Sequence, residues 1–274
     1  MATKITPGEV VALSPGKLYA LGATVSQDND IHWIAKDRKG DAPLNVYLLL
    51  EGSHGLLIDT GYPIIEHALK DQLATLPIDD LKIVFTRAVE MESVGNADVI
   101  VERWPVKEIW SHFTAYDWVY FRTNGKFPSP PPFESYTFGT DGSVNVTDER
   151  PLETIGAKLK LLNAAWVYDP VTKTLFTSDS FSHVLAPNSG ERVITEESDT
   201  TSVDDVYNHL KAKFRWIEGA DTEPLQEFIT DTFNKYDVEN IAPSFGCIIS
   251  GRRLVVKHRD LMNKALKKLD GKAD

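Results

Sequence analysis

Short apolar runs broken by turn residues dominate the first half of the chain, with helical spacing entering between them. Residues 10–13 and 18–21 read as strands separated by Pro15–Gly16, and residues 31–35 as another, closed by the polar turn 37–41. Residues 45–50 and 56–59, joined across a Gly-containing turn, predict a hairpin. After the break at Thr60–Gly61, Ile65, Leu69, Leu73 and Leu76 recur at helical spacing, predicting a helix over 64–76. Residues 81–85 are almost wholly apolar, the pattern of a strand buried on both faces. A helix over 96–103 and a strand over 108–111 follow.

Between residues 113 and 146 the periodicity is lost. Eight aromatic residues lie between Tyr116 and Phe138, around the run Ser129-Pro130-Pro131-Pro132. This predicts an inserted lid or interface loop within one domain. An oligomer contact is the expected use of the aromatics and an aromatic-lined ligand pocket the alternative. A second round of strands is predicted at 159–162, 165–168 and 174–177, with the turn Asp169–Pro170 between the last two. Helices are predicted over 202–216 and 223–235, a short strand over 240–242 and a closing helix over 258–269 with basic residues toward its end. Two clusters of strands, each followed by helices, indicate an α/β protein, a four-layered αββα sandwich in a single domain over residues 1–274.

Composition narrows the function classes. With 274 residues and 42% hydrophobic content, the chain can bury a substantial core. A net charge of −11 and a pI near 5.1 argue against a nucleic-acid or anionic-membrane surface. The single cysteine, Cys247, excludes an intrachain disulfide and a Cys-rich metal site. No secretory h-region and no apolar run of about 18 residues is present. A cytoplasmic location is therefore expected.

The most informative segment is Ile83-Val-Phe-Thr-Arg-Ala-Val-Glu-Met-Glu-Ser-Val-Gly-Asn96. It resembles the metal-binding loop of the metallo-β-lactamase superfamily, an apolar strand followed by Thr-His-x-His-x-Asp-His-x-Gly-Asn, with every histidine replaced. Three more segments carry the resemblance in the right order. Asn45-Val-Tyr-Leu-Leu-Leu50 with Leu56-Leu-Ile-Asp59-Thr60-Gly61 is similar to the family's opening. Leu175-Phe-Thr-Ser-Asp179-Ser-Phe181 is similar to a strand of the flavodiiron branch, and Ile241-Ala-Pro-Ser-Phe-Gly-Cys-Ile248 to the terminal Ile-Ala-Pro-Ser-His-Gly-x-Ile. The resemblance covers roughly residues 8–265 and points to the flavodiiron and oxygen-binding diiron relatives. The chain carries no flavodoxin domain, so no flavin is expected.

Carried over position by position, the resemblance puts Ala88, Glu90, Glu92 and Ser93 at ligand positions of the loop. Asn163 falls where a third-segment histidine belongs, Asp179 at the bridging aspartate and Phe245 at the last histidine. Zinc and iron sites lean on neutral imidazole, which binds borderline metals without accumulating charge. Glu90, Glu92 and Asp179 would form an oxygen-only set suited, if anything, to Mg²⁺, Ca²⁺ or Mn²⁺. No cofactor is therefore expected. Without a metal the usual hydroxide nucleophile is lost.

Converging carboxylates without a cation would raise one another's pKa and create a carboxylic acid. The alternative is that Arg87 or a lysine neutralises them. Asp59 reads as structural, and Ser93 as an N-cap in preference to a nucleophile using Glu90 as base. His112 and His183 lie near these segments and are weighed as a replacement ligand or base against ordinary packing. His32 and His54 read as structural, and Cys247 as a buried small residue.

Three functions are compatible with this reading. The first is a catalytically degenerate protein acting as a non-catalytic subunit beside an intact paralogue in a hydrolase-type complex. The second is an unconventional hydrolase of a small aromatic or apolar substrate. The third is a small-molecule binding or sensing module. A homo- or hetero-oligomer is expected, with neither nucleic acid nor membrane as partner.

Overall fold

The structure, a computed structural model, describes residues 5–26, 40–88, 90–112, 132–139, 141–158, 164–186, 188 and 190–270. The fold is mixed α/β, with its strands in two sheets. The chain forms two compact units, one of Pro7–Ala23 and Leu44–Thr172, the other of Met1–Thr6, Thr24–Pro43 and Lys173–Asp274.

The chain enters through β1 (Ile5–Pro7), β2 (Val11–Ser14) and β3 (Leu18–Val25), with β2 antiparallel to β3. β4 (Ala42–Glu51) and β5 (His54–Ile58) form the expected hairpin, paired from Tyr47 opposite Ile58 to Glu51 opposite His54. Gly52 supplies the positive φ that its tight turn demands. From β5 the order becomes parallel, through β6 (Asp80–Val84) and β7 (Val106–Ser111) to β8 (Glu134–Thr137). Parallel neighbours require crossovers. The first is a 3₁₀ turn, Pro63–Ile65, running into α1 (Glu66–Leu73), where one helix over 64–76 was expected. The second is α2 (Met91–Val94) with α3 (Ala97–Arg103).

A separate antiparallel ladder in the same unit joins β9 (Asp141–Asn145), β10 (Pro151–Gly156) and β11 (Ala165–Asp169). Fully buried Arg150 ties this ladder to the first. Its guanidinium pairs with Asp169 at 2.6 Å and donates to the carbonyls of Leu50 at 2.6 Å and Lys17 at 3.1 Å.

The other unit holds β12 (Thr174–Ser178), β13 (Val193–Ile194), β14 (Asn240–Pro243) and β15 (Ile248–Ser250). β14 runs parallel to β12 and antiparallel to β15, which is parallel to β13. Its helices are α4 (Val203–Lys213), α5 (Glu223–Lys235) and α6 (Arg252–Leu269). Ser202 and Asp205 form a capping box that starts α4. α6 buries Leu254, Val255, His258, Leu261, Met262, Ala265, Leu266 and Leu269, one apolar stripe at helical spacing. That stripe begins at Leu254, so the helix starts six residues earlier than 258, directly after Gly251 (φ 106). No helix among the described residues is long and apolar enough to cross a membrane.

The irregular insert expected over 113–146 needs correction at its end, where β8 pairs with β7 and β9 with β10. Phe133 and Phe138 are buried at the ends of β8, and Tyr136 stacks on Trp110 with ring centroids 4.6 Å apart. These strands are mostly polar or carry Gly and Pro, so they lack the apolar run that marks the others. β10 escaped prediction for the same reason. Residues 113–131, the strands expected at 31–35 and 159–162, and Asn163 lie outside the described residues.

Candidate functional site

The retained motif residues build a latch in the first unit. Asp59 follows β5 with φ 62, and its backbone N–H donates to Val84 at 2.8 Å. The next two N–H groups, of Thr60 and Gly61, donate to the carbonyls of Ser93 at 2.7 Å and Glu92 at 3.0 Å. In return the Asn96 side chain donates to the carbonyls of Thr60, Gly61 and Tyr62 at 2.7, 3.1 and 3.0 Å. Gly95 lies so close to this turn that a Cβ would meet the Gly61 and Met91 oxygens at 2.5 Å. The turn after β5 and the loop after β6 are therefore one hydrogen-bonded body.

Asp59 lies inside it, accepting from the Thr86 N–H at 2.8 Å, the Thr86 hydroxyl at 2.6 Å and the Ser93 hydroxyl. Burial pushes its pKa up to about 6 against the pull of those hydrogen bonds, and nearby Glu92 adds to the rise. Ser93 is thus neither an N-cap nor a nucleophile served by Glu90. The residue at the α2 N-cap is Glu90, and the Ser93 hydroxyl, fully buried, also accepts from the Arg87 N–H at 3.2 Å.

Of the remaining loop positions, Ala88 is buried and presents no donor atom. Glu92 is buried and paired with Arg87 at 2.7 Å, while Glu90, its side chain 44% exposed, meets the same guanidinium at 3.0 Å. Arg87, itself buried, thus serves both carboxylates. His112 is half-buried against Phe138 with ring centroids 4.6 Å apart, and burial lowers its pKa.

In the other unit, the turn after β12 places Ser178 and Phe181 at φ 53 and 59, which sets Asp179 between two left-handed residues. Asp179 is buried, 3.8 Å from the Lys213 ammonium on α4. That ammonium also lies 5.8 Å from the centre of the buried Phe245 ring. Phe245 offers no donor side chain, and Cys247 beyond it is buried, its thiol pushed up to about 12 by desolvation, which disfavours the thiolate. His183 is buried, and its Nε2 is 2.9 Å from Nδ1 of His258. Lys213, His209, His258 and Asp199 carried no sequence signal, because their partners are dozens of residues away.

These residues do not fit the dinuclear zinc or iron centre that the resemblance implies. Ala88 and Phe245 cannot ligate, and fixed cations stand beside Glu90, Glu92 and Asp179. A divalent ion would be repelled by those cations and would lack imidazole donors. Among the described residues, no group of three or more His, Cys, Asp or Glu side chains is arranged to hold a metal.

No family model matches the chain, and comparison with curated proteins finds no match. Solved structures do resemble it. Rubredoxin oxygen:oxidoreductase from the anaerobe Desulfovibrio gigas has a TM-score of 0.69 at 16% identity, covering 94% of this chain and 62% of that one. A diflavin flavoprotein fragment from Nostoc sp. PCC 7120 has a TM-score of 0.68 at 12% identity and covers 98% of both chains. The flavodiiron protein from Giardia intestinalis has a TM-score of 0.66 at 13% identity, covering 94% of this chain and 59% of that one. The chain thus spans about three fifths of the Desulfovibrio and Giardia proteins. It has the metallo-β-lactamase-like core fold of flavodiiron proteins, the fold expected from the sequence.

Proposed function

We propose that this chain is a catalytically degenerate protein of the metallo-β-lactamase fold, a non-catalytic subunit that supports a second chain with intact histidines in a hydrolase-type complex. The observation that carries this reading is Arg87, which engages Glu90 and Glu92 at once, at two positions where the resemblance requires metal ligands. A guanidinium cannot lower the pKa of a bound water as a metal does, so the water nucleophile of such enzymes has no source here. What the chain has is a buried core and, at a net charge of −11, a surface unsuited to nucleic acid or anionic lipid. Its working place would be the cytoplasm, in an oligomer.

Elemental analysis of the purified chain, alone and after co-expression with a histidine-complete chain of the same fold, tests the reading. Metal is expected only in the co-purified complex. One equivalent of metal in the chain alone, lost on Asp179→Ala, would instead favour the unconventional hydrolase with an oxygen-ligand site. Glu90, the most exposed of its three carboxylates, is the residue that second reading rests on.

A further inference from the structure

Three of the seven histidines are buried together in one unit: His183 after β12, His209 on α4 and His258 on α6. The His183 and His258 rings stack with centroids 5.2 Å apart, and His183 Nε2 lies 2.9 Å from His258 Nδ1. The other nitrogen of His258, Nε2, is 3.1 Å from Asp199 Oδ2, in the segment between β13 and α4. Asp199 Oδ2 also takes the Lys257 ammonium at 2.6 Å. His209 Nε2 is 3.0 Å from the Ser182 hydroxyl, which donates to the Asp179 carbonyl at 2.5 Å.

Proton positions in this row are constrained. Burial disfavours the Asp199 anion, but hydrogen bonds from His258, Lys257 and Thr201 prevail and hold its carboxyl well below the ordinary range. An ionised carboxylate only accepts, so His258 Nε2 carries a hydrogen. Between His258 Nδ1 and His183 Nε2 there is then room for one hydrogen. In the neutral pair it sits on His183 Nε2 and is donated to His258 Nδ1; with one extra proton it can sit on either ring without losing the bond. A second extra proton puts hydrogens on both facing nitrogens. The bond becomes a contact between two donors, each on a cation, inside a buried cluster.

We propose that the row Asp199–His258–His183 is an acid-sensitive clamp. Proton sharing holds α6 to the segments that follow β12 and β13, and double protonation of the histidine pair releases them. Among the described residues, the titratable and charged groups set against it include Lys257 on α6 and His209 on α4. The Asp179–Lys213 pair lies beyond Ser182. Lys257 neutralises Asp199 in part and so does not hold a doubly charged histidine pair in place.

The test is amide hydrogen exchange across α6 at pH 7.5 and pH 5.0, corrected for intrinsic rates, in the full chain and in His183→Gln. A glutamine amide can donate to or accept from His258 Nδ1 but does not titrate. Protection of α6 is expected to fall roughly tenfold at pH 5.0 in the parent and less than about twofold in the variant. His209→Gln, outside the row, should keep the parental response. An equal loss in parent and His183→Gln, or none in the parent, overturns the proposal. If His183→Gln does not fold, ¹⁵N side-chain spectra of the parent decide. Titration of His183 and His258 as one coupled pair supports the clamp, and independent titration removes it.

Discussion

Replacing Asp59 with asparagine should stabilise the protein at neutral pH, although the residue sits in the most recognisable motif of the chain. The carboxyl titrates at about 6 in the fold against 3.8 in the unfolded reference. Between those values the folded chain keeps a proton that the unfolded chain has lost. By linkage, this group makes the fold less stable as pH rises from about 4 to 6, and the full cost persists above that. The difference of roughly two pH units corresponds to about 3 kcal/mol. An asparagine amide in this place can reproduce the hydrogen bonds: its Oδ1 accepts from the Thr86 N–H and Ser93 hydroxyl, and its Nδ2 donates to a rotated Thr86 hydroxyl. Asparagine also tolerates the left-handed φ of 62. Urea unfolding at pH 4.0 and pH 7.5 is the assay. Asp59→Asn should match the parent at pH 4.0 and exceed it by up to about 3 kcal/mol at pH 7.5. A variant weaker than the parent at pH 7.5 would refute the reasoning, since the ionised carboxylate would then gain more from its three donors than desolvation takes away.

Other substitutions test neighbouring parts of the argument. Arg87→Met leaves Glu92 buried without its cation and should cost about 3 kcal/mol or more in urea unfolding; adding Glu92→Gln should recover most of it, and strictly additive losses would contradict the pairing. Gly95→Ala drives a methyl into the Gly61 and Met91 oxygens at 2.5 Å; thermal melting should show loss of the native fold or a fall in Tm of about five degrees or more, on the order of a >2 kcal/mol defect. Arg150→Met leaves buried Asp169 without its cation and takes a donor from the Leu50 and Lys17 carbonyls, and a loss of about 3 kcal/mol or more is expected by the same unfolding assay.

How much of this was legible in the sequence depended on the range of the interactions involved. The hairpin of β4 and β5, the strand β6 and helix α5 are set by local patterning and lie where the apolar residues put them. Boundaries moved where a local pattern was incomplete, as at α6, whose polar opening Arg252–Arg253 hid the start of the stripe. The strands β8, β9 and β10 were missed because their sequences, Glu-Ser-Tyr-Thr, Asp-Gly-Ser-Val-Asn and Pro-Leu-Glu-Thr-Ile-Gly, are mostly polar or carry turn residues and lack an apolar run. At the candidate site, sequence reasoning offered Arg87 or a lysine as the neutralising group, and Arg87 stands within five residues of both glutamates. It had no means of naming Lys213, 34 residues from Asp179, or His258, 75 residues from His183. Side-chain pairs at that separation are set by topology, which the residue pattern specifies only indirectly.

The motif residues separate into two groups by what they do. Asp59, Thr60, Gly61, Gly95 and Asn96 act through backbone geometry: a left-handed turn, N–H groups given to Glu92 and Ser93, and an amide collecting three carbonyls. None of these functions needs a metal, and all are required if β5 and β6 are to be joined to α2 and α3 at this spacing. Ala88, Glu90, Glu92, Ser93, Asp179 and Phe245 stand instead where the resemblance demands ligands. There the side chains are a methyl, a ring, a hydroxyl turned to Asp59, and carboxylates beside Arg87 or Lys213. The loop's backbone hydrogen bonds therefore need no metal, and the carboxylates at the ligand-like positions stand beside cations instead. Both units show such pairing separately, through residues on different elements. That is why the fold is recognisable in this chain while the chemistry is not.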